Sequence, residues 1–575
     1  MSKNNIIQAI GVSNGIGYAK AYCIKQPVID FNSNTNLISK EEALEKLEKA
    51  IAKTQKQLQK IKELSKEKLG EEKAMIFEAH MNMANDPEIL NQIKEKLEGD
   101  KVNLVKAVND VFDFTHDMFA QMDDAYFKER ASDLIDVKQR ILCNILDIEI
   151  PNLLEIKSPV IVISHDLTPS NVALLDPKYI KGIISEVGGK TSHAAIMARS
   201  FEIPGVFGTK DILSKVENGQ FIGLDGKAGV IDLKPDEKSW LEKIDSYSKM
   251  QAEFAKYIKM ETKTLDGKKI KCEANIGNVN DATGANKYGC EGIGLYRTEF
   301  LYMGNSDWPT EEEQCNAYKD VLEALGDRLV IIRTLDIGGD KKLPYYTFEP
   351  EMNPFLGNRA IRFCLTNKDI FRTQLRALGR ASVYGRLAIM FPMIANVDEF
   401  KMAKEFTLSV FDELRKEGIK VADNILIGMM VEIPSSAILA DKFAEYSDFF
   451  SIGTNDLIQY SFAADRMSKA VGYLYQPNNP SLLRLINLTI KGGHSKNRFV
   501  GMCGEMAGDV LSIPLLMGLG LDDFSMSASS IPQARKIINS LTLKECEELA
   551  DKALACATAE EVNNLVKKFL KEHNL

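Results

Sequence analysis

Ile425-Leu426-Ile427-Gly428-Met429-Met430-Val431-Glu432 is an apolar run that ends on a carboxylate. It reads as a buried strand, and Phe449-Phe450-Ser451-Ile452-Gly453-Thr454-Asn455-Asp456 repeats the pattern after one helical stretch. Outward from this pair the alternation continues, with strands predicted over 269–276, 292–297, 329–336, 387–393, 425–432, 449–456, 499–505 and 523–528. Residues 264–575 thus have the count and size of a (β/α)8 TIM-type barrel, a fold whose active sites lie at the C-terminal strand ends.

Most of these runs end in or beside a polar group: Asn275, Arg297, Arg333 with Asp336, Glu432, Asn455 with Asp456, and Cys503 with Glu505. Convergence at one rim predicts one shared site. Arg297 and Arg333, with Arg359 and Arg466 from loops, would form a cationic pocket for a small, doubly anionic substrate, because guanidinium forks bind carboxylate and phosphate oxygens bidentately. Each arginine could instead staple barrel loops, and Arg359 could serve substrate or neighbouring backbone. Glu432 and Asp456 terminate consecutive runs and would hold a divalent ion. Mg²⁺ suits them, since it takes one or two carboxylates and fills its shell with water and substrate oxygens. Asn455 would add a neutral donor. Cys503, flanked by Gly501 and Gly504 that would leave room for a ligand, could donate or accept a proton.

Upstream, Gly189-Lys190-Thr191-Ser192-His193-Ala194-Ala195 places a histidine where a helix should begin, after the short strand Gly182-Ile183-Ile184-Ser185. A helix N-terminus offers unpaired N–H groups and partial positive charge to a phosphate carried there, and it keeps the ring a neutral nucleophile. The segments around Gly11 and Gly17 lack dinucleotide-loop spacing and are assigned no chemistry. Residues 1–35 and 147–235 are read as one α/β domain. Residues 36–146 form an all-helical insertion of about four helices, opened by the capping box Ser39-Lys40-Glu41-Glu42. A linker helix is expected over 236–263, and the barrel over 264–575.

Composition bounds the rest. The 575 residues, 45% of them apolar, suffice for two to four domains. No apolar run reaches membrane-helix length and the N-terminus lacks a signal-peptide core, so a cytoplasmic location is expected. A net charge of −9 gives no support to nucleic-acid binding. Nine scattered cysteines show no Cys-x-x-Cys pair, against a disulfide framework or structural zinc. His80, His116, His165, His494 and His573 have no ligand-like spacing.

Several long motifs complete the reading: Asp166-Leu167-Thr168-Pro169-Ser170, Gly188 through Ser200, Gly292-Ile293-Gly294-Leu295-Tyr296-Arg297-Thr298-Glu299-Phe300-Leu301, Asp336-Ile337-Gly338-Gly339-Asp340-Lys341, Asn353-Pro354-Phe355-Leu356-Gly357-Asn358-Arg359-Ala360, and Phe450 through Leu457. With these the chain resembles, end to end, enzyme I of the bacterial phosphoenolpyruvate:sugar phosphotransferase system. The resemblance implies that phosphoenolpyruvate binds in the barrel with Mg²⁺ on Glu432 and Asp456, and that Arg297, Arg333, Asn455 and Arg466 hold its phosphate and carboxylate. It implies that His193 takes the phosphoryl group, that Cys503 protonates the departing enolate, and that a phosphocarrier protein, HPr, docks on the helical insertion and receives the phosphate. A swivelling histidine domain and a homodimer formed through the barrel are implied too. Departures are mild: Lys190 stands where the family often has arginine, and Ala194-Ala195 replaces slightly more polar pairs. The alternatives are an ATP-dependent relative of pyruvate phosphate dikinase or phosphoenolpyruvate synthase, and a non-catalytic signalling scaffold.

Overall fold

In a computed structural model of the chain, contacts separate two units, Met1–Gln251 and Ala252–Leu575. The structure describes residues 5–24, 29, 31, 37–69, 71–99, 101–121, 125–148, 153, 156–167, 175–176, 178–189, 195, 198–199, 201–303, 305, 307–339, 341, 343, 345–466 and 468–575, without the side chains of 65, 67–69, 71–76, 120–121, 125–132 and 469.

The first unit begins with β1 (Ile6–Gln8), β2 (Ile10–Ser13) and β3 (Ile16–Ile24). The chain then leaves the sheet for β4 (Leu37–Ile38), α1 (Lys40–Leu69), α2 (Glu71–Ala84), α3 (Pro87–Glu95), β5 (Val102–Asn103), α4 (Leu104–Gln121) and α5 (Ala125–Ile145). Ser39 caps α1 by accepting the Glu42 N–H at 3.2 Å. Asp86 caps α3, whose first residue is Pro87. Among the described residues of the insertion there are five helices where about four were expected. The chain returns as β6 (Val160–Ser164), β7 (Ile180–Ser185), β8 (Gly205–Phe207), β9 (Phe221–Asp225) and β10 (Val230–Asp232).

These strands, without β4 and β5, form one sheet in the order β1-β10-β9-β3-β6-β7-β8-β2, with β3, β6, β7 and β8 parallel. Strand alternation divides its faces. Val160 and Val162 pack with Leu47, Phe77 and Ile141 of the helices, while Ile161 and Ile163 pack with Ala19, Ile222 and Leu224. A helix spans Glu237–Ala255, within the 236–263 expected for a linker helix and ending eight residues before its end. Its Trp240 lies over Gly223, where a Cβ would come within 2.3 Å of the indole, and donates to Asp232 at 3.1 Å. After β7, Gly188 turns with φ +91° and the described residues Ala195, Ala198 and Arg199 are helical. His193 itself lies outside the described residues.

In the second unit β11 (Lys271–Ile276), β12 (Ile293–Arg297), β13 (Leu329–Arg333), β14 (Arg386–Phe391), β15 (Leu426–Val431), β16 (Phe449–Ile452), β17 (Phe499–Met502) and β18 (Asp523–Met526) pair in parallel and close, Lys271 of β11 lying opposite Asp523 of β18. The expected eight-stranded barrel is thus present. Cys272, Ala274 and Ile276 of β11 face the surrounding helices, whereas Leu295, Ile331, Met390, Met430 and Phe449 fill the interior. Six strands stop short of their expected ends, three of them by three or four residues, at Arg333, Ile452 and Met502. Asp456 accordingly sits not on a strand but on the first turn of the helix Thr454–Phe462. Among the described residues, no helix is long and apolar enough to cross a membrane.

Candidate active site

Register places Arg297 of β12 directly beside Arg333 of β13. The two have different surroundings. Arg333 is buried and clamped, with Glu299 at 2.7 Å and Asp336 at 2.9 Å. Lys341 bridges the same two carboxylates at 3.0 and 2.6 Å, and Arg359, also buried, reaches Asp336 at 3.0 Å. Gly338 and Gly339, with φ of +102° and +67°, turn the chain so that Lys341 can return to Asp336. A Cβ on Gly338 would meet the Arg359 Cβ at 2.7 Å. Burial opposes the Asp336 charge, but Arg333, Lys341 and Arg359 overcome it and hold that carboxyl well below the usual range. Glu299 is likewise held down, against burial, by Arg333 and Lys341. Arg297 is half-buried and makes no hydrogen bond or ion pair among the described residues, so its fork is open to a ligand.

Glu432 follows β15 and is buried, accepting the Met393 N–H. Met393 holds a left-handed φ of +58°, which aims that N–H. Asp456 stands between Arg359 at 3.7 Å and Arg466 at 3.6 Å, and its buried Oδ1 has no hydrogen-bond donor. Burial, then the nearby Asp456 and Asp336 carboxylates, push Glu432 up to about 8 despite Arg333 and Arg359. Two buried carboxylates that repel each other, one with an unmet acceptor oxygen, have the donor chemistry that a hard divalent cation requires.

Asn455, beside Asp456, accepts a hydrogen bond at Oδ1 from the Tyr475 hydroxyl at 2.9 Å. Cys503 is buried within the barrel interior, where burial pushes its thiol up against the opposing pull of Ser451 and Arg333. The glycines flanking Cys503 do not make room for a ligand as expected. A Cβ on Gly504 would lie 1.8 Å from the Thr454 hydroxyl, and one on Gly501 3.3 Å from Asp523, so both admit neighbouring chain. Asn275 turns away from the pocket, donating to the Cys503 carbonyl at 3.0 Å and accepting from Ser525 at 2.7 Å. Glu505 is exposed.

The structure therefore brings Arg297, Arg333, Arg359, Glu432, Asn455, Asp456, Arg466 and Cys503 to one end of one barrel. Sequence reasoning assigned no role to Glu299, Lys341 or Tyr475. Glu299 lies two residues past Arg297 and Lys341 five past Asp336, both inside the quoted motifs, but nothing in the sequence links Tyr475 to Asn455.

Family models describe three consecutive parts of this chain as a phosphoenolpyruvate-utilising enzyme: the N-terminal part over residues 8–130, the mobile domain over 156–229 and the phosphoenolpyruvate-binding domain over 251–543. A phosphoenolpyruvate-protein phosphotransferase of Mycoplasma capricolum is 53% identical over 99% of both chains. Proteins of the same description from Geobacillus stearothermophilus and Staphylococcus aureus are 50% and 49% identical, covering 98% of both chains in the first case, and 99% of this chain and 100% of the relative in the second.

Proposed function

The chain belongs to the phosphoenolpyruvate-protein phosphotransferase family, the enzyme I of the bacterial sugar phosphotransferase system, and from that premise we propose how its own residues carry the reaction. The enzyme catalyses the first step of that system, transfer of the phosphoryl group of phosphoenolpyruvate to protein. The full-length matches favour this over an ATP-dependent dikinase relative or a silent scaffold.

The observation that carries the site assignment is the open Arg297 fork beside the clamped Arg333, which itself lies near the Glu432 carboxylate. Arg297, Arg333, Asn455 and Arg466 bind the substrate's phosphate and carboxylate, and Arg359 and Lys341 fix the carboxylates around them. Glu432 and Asp456 would hold Mg²⁺, which when bound offsets charge on the transferring phosphoryl group and the leaving oxygen. A His193 ring nitrogen forms the P–N bond as the bond from phosphorus to the enol oxygen breaks. The electron pair leaves with the enolate of pyruvate. Cys503, whose buried thiol keeps its proton, supplies that proton at carbon and completes pyruvate.

The phosphoryl group then passes to the phosphocarrier protein HPr, docked on the insertion of residues 36–146. Phe114, 64% exposed on α4, with Met118 one turn on and Ile135 on α5, supports an apolar docking patch there. Residues 1–35 and 147–235 carry the histidine and swivel about the linker 236–263 to serve both partners. Exposed Met402, Leu408, Ile438 and Leu439 support a homodimer formed through the barrel domain, residues 264–575. Nine free cysteines suit a cytoplasmic, reducing location.

Incubation with radiolabelled phosphoenolpyruvate and Mg²⁺, alongside His193→Ala, tests the reading. The expected label is acid-labile, base-stable and absent from the variant. Labelling that survives the substitution would refute His193 as the acceptor.

A further inference from the structure

Helix Thr454–Phe462 ends and the chain crosses residues 463–479 before the helix Pro480–His494 begins. This crossing carries Arg466 near its start and Tyr475 near its end. The Tyr475 end has a firm base. Asn478 is buried, donates to Asn563 at 2.9 Å and accepts from the Ser512 hydroxyl at 2.9 Å. Asn479 donates to the Gln476 side chain at 2.8 Å, and Gln476 in turn donates to the Tyr473 carbonyl at 3.0 Å. From that base the Tyr475 hydroxyl reaches 2.9 Å to Oδ1 of Asn455.

A carboxamide is a bidirectional group: one end accepts, the other donates, and a half-turn about its last bond exchanges them. Asn455 is useful to an anionic substrate only if its NH2 faces the pocket. With Oδ1 engaged by the Tyr475 hydroxyl, the amide presents its NH2 on the opposite side, and the hydrogen bond restrains it there. We propose that Tyr475 is a positioning residue for the phosphotransfer reaction, holding the Asn455 amide so that its NH2 points at the phosphate of phosphoenolpyruvate. The inference rests on the assignment of Asn455 to that phosphate. A phenolic hydroxyl keeps its proton at neutral pH and can donate it to Oδ1. Since Arg466 is carried by the same crossing, Tyr475 also ties that segment to the helix that carries Asp456.

The test is a double-mutant cycle with Tyr475→Phe and Asn455→Ala, read as the initial rate of phosphoenolpyruvate-dependent phosphorylation of the full-length protein, together with its unfolding temperature. Tyr475→Phe keeps the ring and removes one hydroxyl. It is expected to lower kcat/KM by roughly three- to tenfold, the loss of one neutral hydrogen bond, with the unfolding temperature unchanged. In the Asn455→Ala background the same change should have no further effect, because Tyr475 acts only through that amide. Multiplying effects would overturn the proposal, and so would an unaffected Tyr475→Phe enzyme beside an impaired Asn455→Ala enzyme. Full activity in Asn455→Ala would show instead that the assignment of Asn455 fails.

Discussion

Arg297 and Arg333 share a register position and a charge, and their neighbours give them opposite energetics. Arg333 is one corner of a buried set in which Glu299 and Asp336 have no other cations than Lys341 and Arg359 among the described residues. Removing Arg333 leaves buried carboxylates undercompensated, so Arg333→Met should destabilise the second unit by about 3–5 kcal/mol. Arg297 has no such obligation. Arg297→Met should leave the denaturant midpoint nearly unchanged while raising KM for phosphoenolpyruvate by tenfold or so, the loss of one charge-assisted contact. Equal midpoint shifts in the two variants would contradict this division. Both arginines were legible in the sequence because they close apolar runs, whereas Glu299 and Lys341 were not, because their role arises only when Gly338 and Gly339 fold residue 341 back onto 336.

The elements show the same limit in another form. All eight barrel strands could be placed from their apolar runs, yet β13, β15, β16 and β17 end before Asp336, Glu432, Asp456 and Cys503, the polar residues expected to close them. Those residues must leave the ladder to present their side chains above the rim, and a strand pattern does not mark where pairing stops. β11 carries what no pattern announced, a carboxyl pointed into the barrel. Glu273 alternates with the outward Cys272 and Ala274, lies against Gly292 and Gly294, and has no hydrogen-bond partner for either oxygen. Burial, with Asp523 adding to it, pushes Glu273 well above the ordinary carboxyl range, and burial pushes Asp523 itself up to about 6. A folded state that binds protons more tightly than the unfolded chain loses stability as pH rises. The contribution of Glu273 is therefore complete below about pH 4, where both states are protonated, and declines as pH climbs through the raised value. Glu273→Gln should match the parent near pH 5 and exceed it by about 1–3 kcal/mol at pH 8. Parallel stability curves for the two proteins across that range would show that the buried carboxyl is not held protonated.

For the whole molecule, the division of contacts at residue 251 separates cores, and on the proposed reading it would separate functions as well. The first unit has its own two apolar clusters and contains the helical insertion and the segment of His193; the second has the barrel and every arginine assigned to substrate. A reaction divided in this way needs both units for the first transfer but only one for the second. A fragment of residues 1–251 should accept phosphate from the phosphorylated carrier protein, in the reverse of the second step, and stay unlabelled with phosphoenolpyruvate. A fragment of residues 252–575 should bind phosphoenolpyruvate, measured by calorimetry with Mg²⁺ present, and never become phosphorylated. Mixing the fragments should restore some labelling of the first, at a rate that grows with concentration, because the two are no longer covalently joined and the chain supplies no effective concentration. Labelling of the first fragment alone by phosphoenolpyruvate would place a second substrate site outside the barrel. Failure of the phosphorylated carrier to label it would mean that the helical insertion and His193 are not sufficient for exchange.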